Sequence, residues 1–313
     1  MPTLEERLEG GVLGLLIGDA LGVPYEFKRA EELPPRDAIE FEPPQGFARS
    51  HPRVPAGTWS DDGAQALCLL ASLLTCKRFD ADDFAQRLVS WFTRGYLAVD
   101  GRVFDVGIQT SEVLRAVHSG VPVQRATRRD VEGNGNGALM RVLPLALWHR
   151  GSDAELVHDA RGSSAVTHGH VRSQLCCALY CLWARQLLGG ASDAWARAKQ
   201  TLPAALPPDD EEAQRELNEV ILPELELQGT GTGYVVDTLR TAHGLLAAEA
   251  TYEGTVKGAV AIGHDTDTTA AVAGGVAAIR SGVSSIPTRW RNALRGSDLV
   301  EPLLGQLRTH CAE

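Results

Sequence analysis

The sequence predicts an all-α fold, a single compact multi-helix domain over residues 1–313. Ala and Leu dominate while β-branched runs are sparse. Apolar residues recur at i, i+3, i+4 and i+7 in segment after segment, which marks amphipathic helices. Gly and Pro punctuate between those segments, with no fixed repeat, Gly/Ser linker or composition break to divide the chain.

The elements follow in order. A first helix is expected over about 4–20, through GGVLGLLIGDALG, where glycines allow close backbone approach. Residues 27–58 are rich in Pro and charge and lack periodicity, so they read as a rim or lid excursion over the body. Helices at about 62–77 and 80–94 come next, the first of them directly after GTWSDD. One at about 105–119 would be capped by Asp105. The helix at about 139–149 follows the glycine- and asparagine-rich GNGNG, and a short one is expected at about 153–161. The most apolar helix, about 168–188, opens on His168. Further helices are expected at about 193–202 and 209–220, then at 234–249 with Tyr234 after the GTGTG turn, and at 253–262. The last two cover about 267–281, behind GHDTD, and about 297–310.

With 30 Lys and Arg against 40 Asp and Glu, the net charge is −10. Such a field repels polyanions and argues against a general nucleic-acid or anionic-membrane binder. The apolar runs fall short of the ~18 uninterrupted residues of a membrane span. The N-terminus has acidic residues before its apolar segment and no secretory pattern, so the expected location is the cytoplasm. The 6 cysteines lack paired CxxC spacing and read as core thiols.

Two acidic clusters, GTWSDDGAQ at 57–65 and GHDTDTTAAVAGG at 263–275, each precede an Ala-rich helix. Capping by Ser60 and Asp265 accounts for one or two polar residues at each start. It does not account for Asp61 with Asp62, or Asp265 with Asp267 and Thr268, beside tryptophan and glycines. If the two starts converge, they offer four carboxylates and two hydroxyls, an all-oxygen set suited to hard cations such as Mg²⁺ or Mn²⁺. Four carboxylates also balance two divalent ions, a known hydrolytic arrangement.

GGVLGLLIGDALGVPYEF, GTWSDDGAQALCLLASLL, FDVGIQT, GNGNGALMR, AVTHGH, GTGYVVDTL and GHDTDTTAAVAGG stand in the order found in the ADP-ribosylglycohydrolase family. The chain resembles a bacterial member of it, similar to the dinitrogenase-reductase-activating glycohydrolases, over about residues 10–282. The resemblance implies an orthogonal all-α domain holding two Mg²⁺ or Mn²⁺ ions on Ser60, Asp61, Asp62, Asp265, Asp267 and Thr268. One departure is Ser60-Asp61-Asp62-Gly63, where the family commonly has Thr-Asp-Asp-Thr. Ser60 keeps a hydroxyl; Gly63 loses one.

The resemblance also places Glu26 by the metals, as an acid or base on the leaving group or attacking water, and Asp105 at the distal ribose as a second such group. It does not rank the two. Gly135, Asn136 and Gly137 are implied at the diphosphate or the neighbouring ribose, where amides suit an anion; Arg141, just beyond them, either adds positive charge there as a substrate contact or pairs with a nearby acid. His168 is implied as a contact to ribose or phosphate, and Tyr234 as a stacking partner for adenine.

The function so implied is metal-dependent removal of ADP-ribose from a modified acceptor, by cleavage at the anomeric carbon of the distal ribose. Mono-ADP-ribosylated arginine in protein is the first substrate to consider. ADP-ribosyl-serine, O-acetyl-ADP-ribose and ADP-ribosylated nucleic acid are served by the same chemistry. A non-catalytic ADP-ribose reader or a structural member is the alternative from another class, and retention of every ligand-type residue together with Glu26 weighs against it.

Overall fold

The computed structural model describes residues 1–312. In chain order the α-helices are α1 (Leu4–Gly22), α2 (Asp61–Cys76), α3 (Ala81–Arg94), α4 (Ile108–His118), α5 (Val123–Ala126), α6 (Leu143–Trp148), α7 (Asp153–Ala165), α8 (Val171–Leu188), α9 (Ala194–Ala205), α10 (Glu211–Glu216), α11 (Leu222–Leu225), α12 (Val235–Ala248), α13 (Tyr252–Ala261), α14 (Thr266–Ser281), α15 (Thr288–Ala293) and α16 (Ser297–Ala312). Among the described residues, extended pairing is limited to three isolated bridges, so the fold is all-α. One continuous apolar cluster runs through it, with Trp59, Trp91, Trp183 and Trp290 as its largest buried side chains. All six cysteines are free thiols, and Cys68, Cys176, Cys177 and Cys181 lie in that core.

α1 begins in a capping box. The Thr3 hydroxyl accepts the Glu6 N–H while the Glu6 carboxylate accepts the Thr3 N–H. By length and composition the stretch Leu4–Tyr25 could cross a membrane, but 89% of its apolar window is buried in the protein. It is the central core helix. Gly10, Gly14, Gly18 and Gly22 recur every fourth residue and form one ridge of α1. That ridge lies directly on α14. A Cβ at Gly18 would come within 2.1 Å of the Ala270 carbonyl oxygen, and one at Gly22 within 2.3 Å of Asp267 Cα. The glycines therefore serve backbone-to-backbone contact inside a helix, and they bring the C-terminal end of α1 against the start of α14.

Helix boundaries shift where the site is built. The helix expected from 105 starts at Ile108, because Asp105 takes a left-handed backbone (φ 55°) and cannot cap it; Gly107 is the N-cap. GNGNG does not lead straight into a helix either, since α6 begins only at Leu143. That loop pairs with 233–235 instead, Asn136 N–H donating to the Gly233 carbonyl at 2.9 Å and Val235 N–H to the Asn134 carbonyl at 3.0 Å. α8 starts at Val171 with His170 as N-cap, which leaves His168 in the preceding turn. The helix expected over 209–220 is broken into α10, a wider π turn at Leu217–Ile221, and α11. The short α5 and α15 give too little periodicity to be seen in sequence. The 27–58 excursion is irregular apart from single 3₁₀ turns, and Ile39, Phe41 and Val54 pin it to the core.

Candidate active site

The site is assembled where α1, α2 and α14 meet. Asp19 of α1 is fully buried, and its carboxylate accepts the backbone N–H groups of Ser60 (2.8 Å) and Gly63 (2.8 Å). A side chain thus caps the next helix from outside, fixing the turn that presents Asp61 and Asp62. Gly63, where the family pattern has threonine, has no room for a larger residue. A Cβ there would lie 2.7 Å from Leu16 Cδ2 and 2.8 Å from Trp59 Cγ.

Opposite, α14 presents Asp265, Asp267 and Thr268. Thr268 Oγ1 donates to Asp62 Oδ1 at 3.3 Å, and Thr268 N–H to Asp267 Oδ1 at 2.9 Å. Asn136 donates its amide to Asp265 Oδ2 at 2.7 Å, and Gln65 to Asp61 Oδ2 at 2.9 Å. Glu26, Asp265 and Asp267 each bring a carboxylate oxygen within 4.8 Å of one another. Among the described residues no Lys or Arg forms an ion pair with any of these aspartates.

Burial and mutual repulsion push these acids upward. Asp61, Asp62 and Asp267 rise well above the carboxylate range, and Asp265 also rises. Asp19 is pushed up to about 7 by burial, against the hydrogen bonds it accepts. Glu26 is pushed up to about 11 by burial and by the nearby charges of Asp105 and Asp265. Asp62 Oδ2 and Asp267 Oδ2 are buried without any hydrogen-bond partner. Unpaired buried carboxylate oxygens in an all-oxygen cluster without a counter-charge are what a hard divalent cation satisfies, so the residues fit such an ion.

Above the cluster opens a cleft of about 890 Å³. Glu26, Asp61, Asp62, Asp105, Asp265 and Thr268 line it together with Gly135, Asn136, Gly137 and His168. Ser60 and Asp267 are buried beneath, at 3% and 0% exposure. A larger groove of about 1120 Å³ around Trp148 and His149 carries basic side chains but no such carboxylate cluster.

Two residues implied as substrate contacts are placed elsewhere. Arg141 is fully buried and does not line the cleft; its guanidinium donates to Gln65 Oε1 (2.6 Å) and Thr167 Oγ1 (2.7 Å). Tyr234 caps α12 with its hydroxyl accepting from Arg172 at 3.1 Å, and the cleft wall at that point is Thr232 and Gly233. Arg141 nonetheless acts on the site through Thr167. Thr167 Oγ1 accepts from Arg141, and the acceptor within reach of its own proton is His168 Nδ1, 2.7 Å away, so the hydroxyl is satisfied in both roles when it donates to that nitrogen. Burial and the Arg141 charge pull His168 down to about 3, so the ring is neutral. Its remaining proton is therefore on Nε2, a donor beside Gly135 and Gly137.

Asp19, His51, Gln65, Thr167 and Arg128 also belong to this site or its supports, and sequence reasoning missed them. Asp19 had a signal, as a lone carboxylate inside an otherwise apolar, glycine-rich helix. His51 had none, since it sits in the irregular excursion.

A family model described as ADP-ribosylglycohydrolase matches residues 1–313. The chain is 30% identical to the ADP-ribosylarginine hydrolase Tri1 of Pseudomonas putida strain GB-1, covering 96% of this chain and 78% of the relative. It is 29% identical to the ADP-ribosyl-[dinitrogen reductase] glycohydrolase of Rhodospirillum rubrum, over 94% of this chain and 92% of that one. A solved structure titled ADP-ribosylglycohydrolase-related protein complex superposes with a TM-score of 0.76 at 31% identity, covering 99% of both chains. With the whole chain matched and the acidic helix starts converging as the motifs require, this protein belongs to the ADP-ribosylglycohydrolase family of hydrolases.

Proposed function

We propose that this protein removes ADP-ribose from a modified acceptor by cation-dependent hydrolysis at the distal-ribose anomeric carbon, with ADP-ribosylated arginine in protein as its substrate. The observation that carries the reading is the buried cluster with unpartnered Asp62 Oδ2 and Asp267 Oδ2 directly below a cleft holding Glu26 and Asp105. Ser60, Asp61, Asp62, Asp265, Asp267 and Thr268 would hold two divalent cations, Mg²⁺ or Mn²⁺. When bound, such ions supply positive charge that orients ribose hydroxyls and a water. Arginine as acceptor rests on the similarity to the Pseudomonas ADP-ribosylarginine hydrolase.

The chain's own groups divide the remaining work. His168 Nε2–H and the peptide groups around Gly135 to Gly137 bind and orient the nucleotide. Glu26 and Asp105, held together at the cleft, move the protons of the attacking water and the leaving group. The crowded carboxylates stabilise positive charge developing on the sugar ring.

The test measures free ADP-ribose released from ADP-ribosylated arginine, serine, ester and nucleic-acid substrates side by side, with and without a chelator. Chelator-sensitive release, fastest from arginine, is expected. Asp61→Asn and Asp267→Asn should each abolish it while leaving the chain folded. Tight ADP-ribose binding with no turnover on any substrate would overturn the hydrolase reading in favour of a reader.

A further inference from the structure

The excursion over 27–58 returns to the body of the protein at Ser50 and His51, and there it clamps the turn that carries Glu26. Ser50 N–H donates to the Pro24 carbonyl at 2.9 Å, and the Ser50 hydroxyl donates to the Glu26 carbonyl. His51 Nε2 lies 2.7 Å from Glu26 Oε2. The Glu26 side chain is 5% exposed and that of His51 17%, so the contact is shielded from water.

The imidazole is itself held. Its ring centroid lies 5.9 Å from that of Phe27 and 5.1 Å from that of Phe104. Asp105 also reaches the pair, and Glu26, His51 and Asp105 each place a polar atom within 4.8 Å of the others. Backbone strain is concentrated at the same spot. Phe27 (φ 63°), His51 (φ 50°) and Asp105 (φ 55°) all adopt the left-handed region without being glycine. Non-glycine residues persist in that conformation only where surrounding contacts over-determine it, and such positions cluster at functional sites.

We propose that His51 is a positioning residue, whose Nε2–H donates to Glu26 Oε2 and holds that carboxyl aimed into the cleft beside Asp105. Without it, the neighbours that remain against the Glu26 carboxyl are the acids Asp105, Asp265 and Asp267, which repel its charged form and do not fix its aim. The excursion thereby contributes a working part to the site in addition to forming its rim. The proposal rests on the reading of Glu26 as the proton-handling group.

The experiment is a double-mutant cycle on the full-length protein with Mg²⁺, using ADP-ribosylated arginine peptide as substrate. His51→Ala should lower kcat by about 10- to 100-fold, the usual scale for losing an orienting neighbour, with KM and ADP-ribose affinity within about 2-fold of the parent. His51→Gln, which keeps an N–H donor, should recover most of kcat. The double variant Glu26→Gln/His51→Ala should be no slower than Glu26→Gln alone, because His51 acts only through Glu26. Unchanged kcat in His51→Ala would overturn the proposal, as would losses that multiply in the double variant or a His51→Gln as slow as His51→Ala. Full turnover in Glu26→Gln alone would instead overturn the underlying reading of Glu26, and that arm is measured before His51 is altered.

Discussion

The Asp19 carboxylate on α1 accepts hydrogen bonds from the backbone N–H groups of Ser60 and Gly63, 41 and 44 residues further along the chain. Ser60 N–H reaches both of its oxygens, at 2.8 and 3.0 Å. An acid that holds no substrate and lines no cleft therefore sets where Asp61 and Asp62 stand.

Asp19→Asn tests that relationship. The amide offers one acceptor oxygen where three bonds are received, and turns an N–H₂ toward at least one backbone donor. A stability loss of about 1–3 kcal/mol is expected, the cost of a buried unsatisfied group, together with weaker Mg²⁺ binding. Thermal melts in chelator and a calorimetric Mg²⁺ titration measure the two effects; unchanged values in both would remove Asp19 from the machinery of the site.

The metal-free protein should lose stability as pH rises. Asp19 at about 7 and Glu26 at about 11 hold protons in the folded state that the unfolded chain releases near its ordinary carboxyl values of about 4. Asp61, Asp62 and Asp267 are raised as well. The folded state therefore binds more protons than the unfolded state above about pH 4, and linkage makes stability fall from there through 7 and beyond. Melting temperatures across pH 4–9 should decline in EDTA and flatten on adding Mg²⁺. A decline that ignores the cation would mean the acids are not its ligands.

Asp62→Asn and Asp267→Asn should raise the melting temperature in EDTA at neutral pH and above, because the amide stays neutral without a proton where the buried acid must hold one. Both should also lose the stabilisation that Mg²⁺ gives the parent. Lower stability in EDTA would show that the carboxylates are compensated by something other than a cation.

Gly18→Ala places a methyl group 2.1 Å from the Ala270 carbonyl oxygen and must force α1 away from α14. A loss of about 3 kcal/mol or more is expected, at the upper end for overpacking a core. Gly244→Ala is the internal control. It lies in the interior of α12 with nothing near its Cβ direction, so it should stabilise by about 0.5–1 kcal/mol. Urea unfolding of the pair decides whether the ridge, and not glycine content, sets the packing.

Arg141→Met should lower ADP-ribose affinity although Arg141 touches no part of the cleft. Gln65 and Thr167 lose their donor, and Thr167 is then free to take the other hydrogen-bonding role toward His168. In a double variant with His168→Ala the affinity losses should not add. Additive losses would mean that Arg141 reaches the ligand by some other route.

Much of this was legible in the chain, for stated reasons. Helix type is set by local periodicity, and the long amphipathic segments show it. The two acidic starts could be paired because each carries more carboxylates than a cap requires. What sequence could not give was anything fixed by long-range contact. Asp105 takes a left-handed backbone because of the residues around it, so the helix it was expected to cap begins three positions later. GNGNG is held by pairing with 233–235, about a hundred residues away, and this moved α6 downstream. Sequence offers Arg141 as added positive charge or as a partner for a nearby acid, whereas it is buried against Gln65 and Thr167, neither of them an acid, and the second of these touches His168. His51 lies in a segment without pattern, and only the return of that segment onto Glu26 gives it meaning.

The glycine ridge of α1 also bears on when the protein becomes active during its own synthesis. α1 is made well before the helix it is shaped to receive, α14, some 250 residues later. Until α14 emerges, α1 exposes a long apolar surface and its Asp19, and the emerging chain holds only half of the acidic cluster. Contacts of such sequence separation form late and slow folding. A chain interrupted before Ser281 would therefore be both aggregation-prone and inactive. The ridge makes an assembled acidic cluster depend on one contact between helices some 250 residues apart.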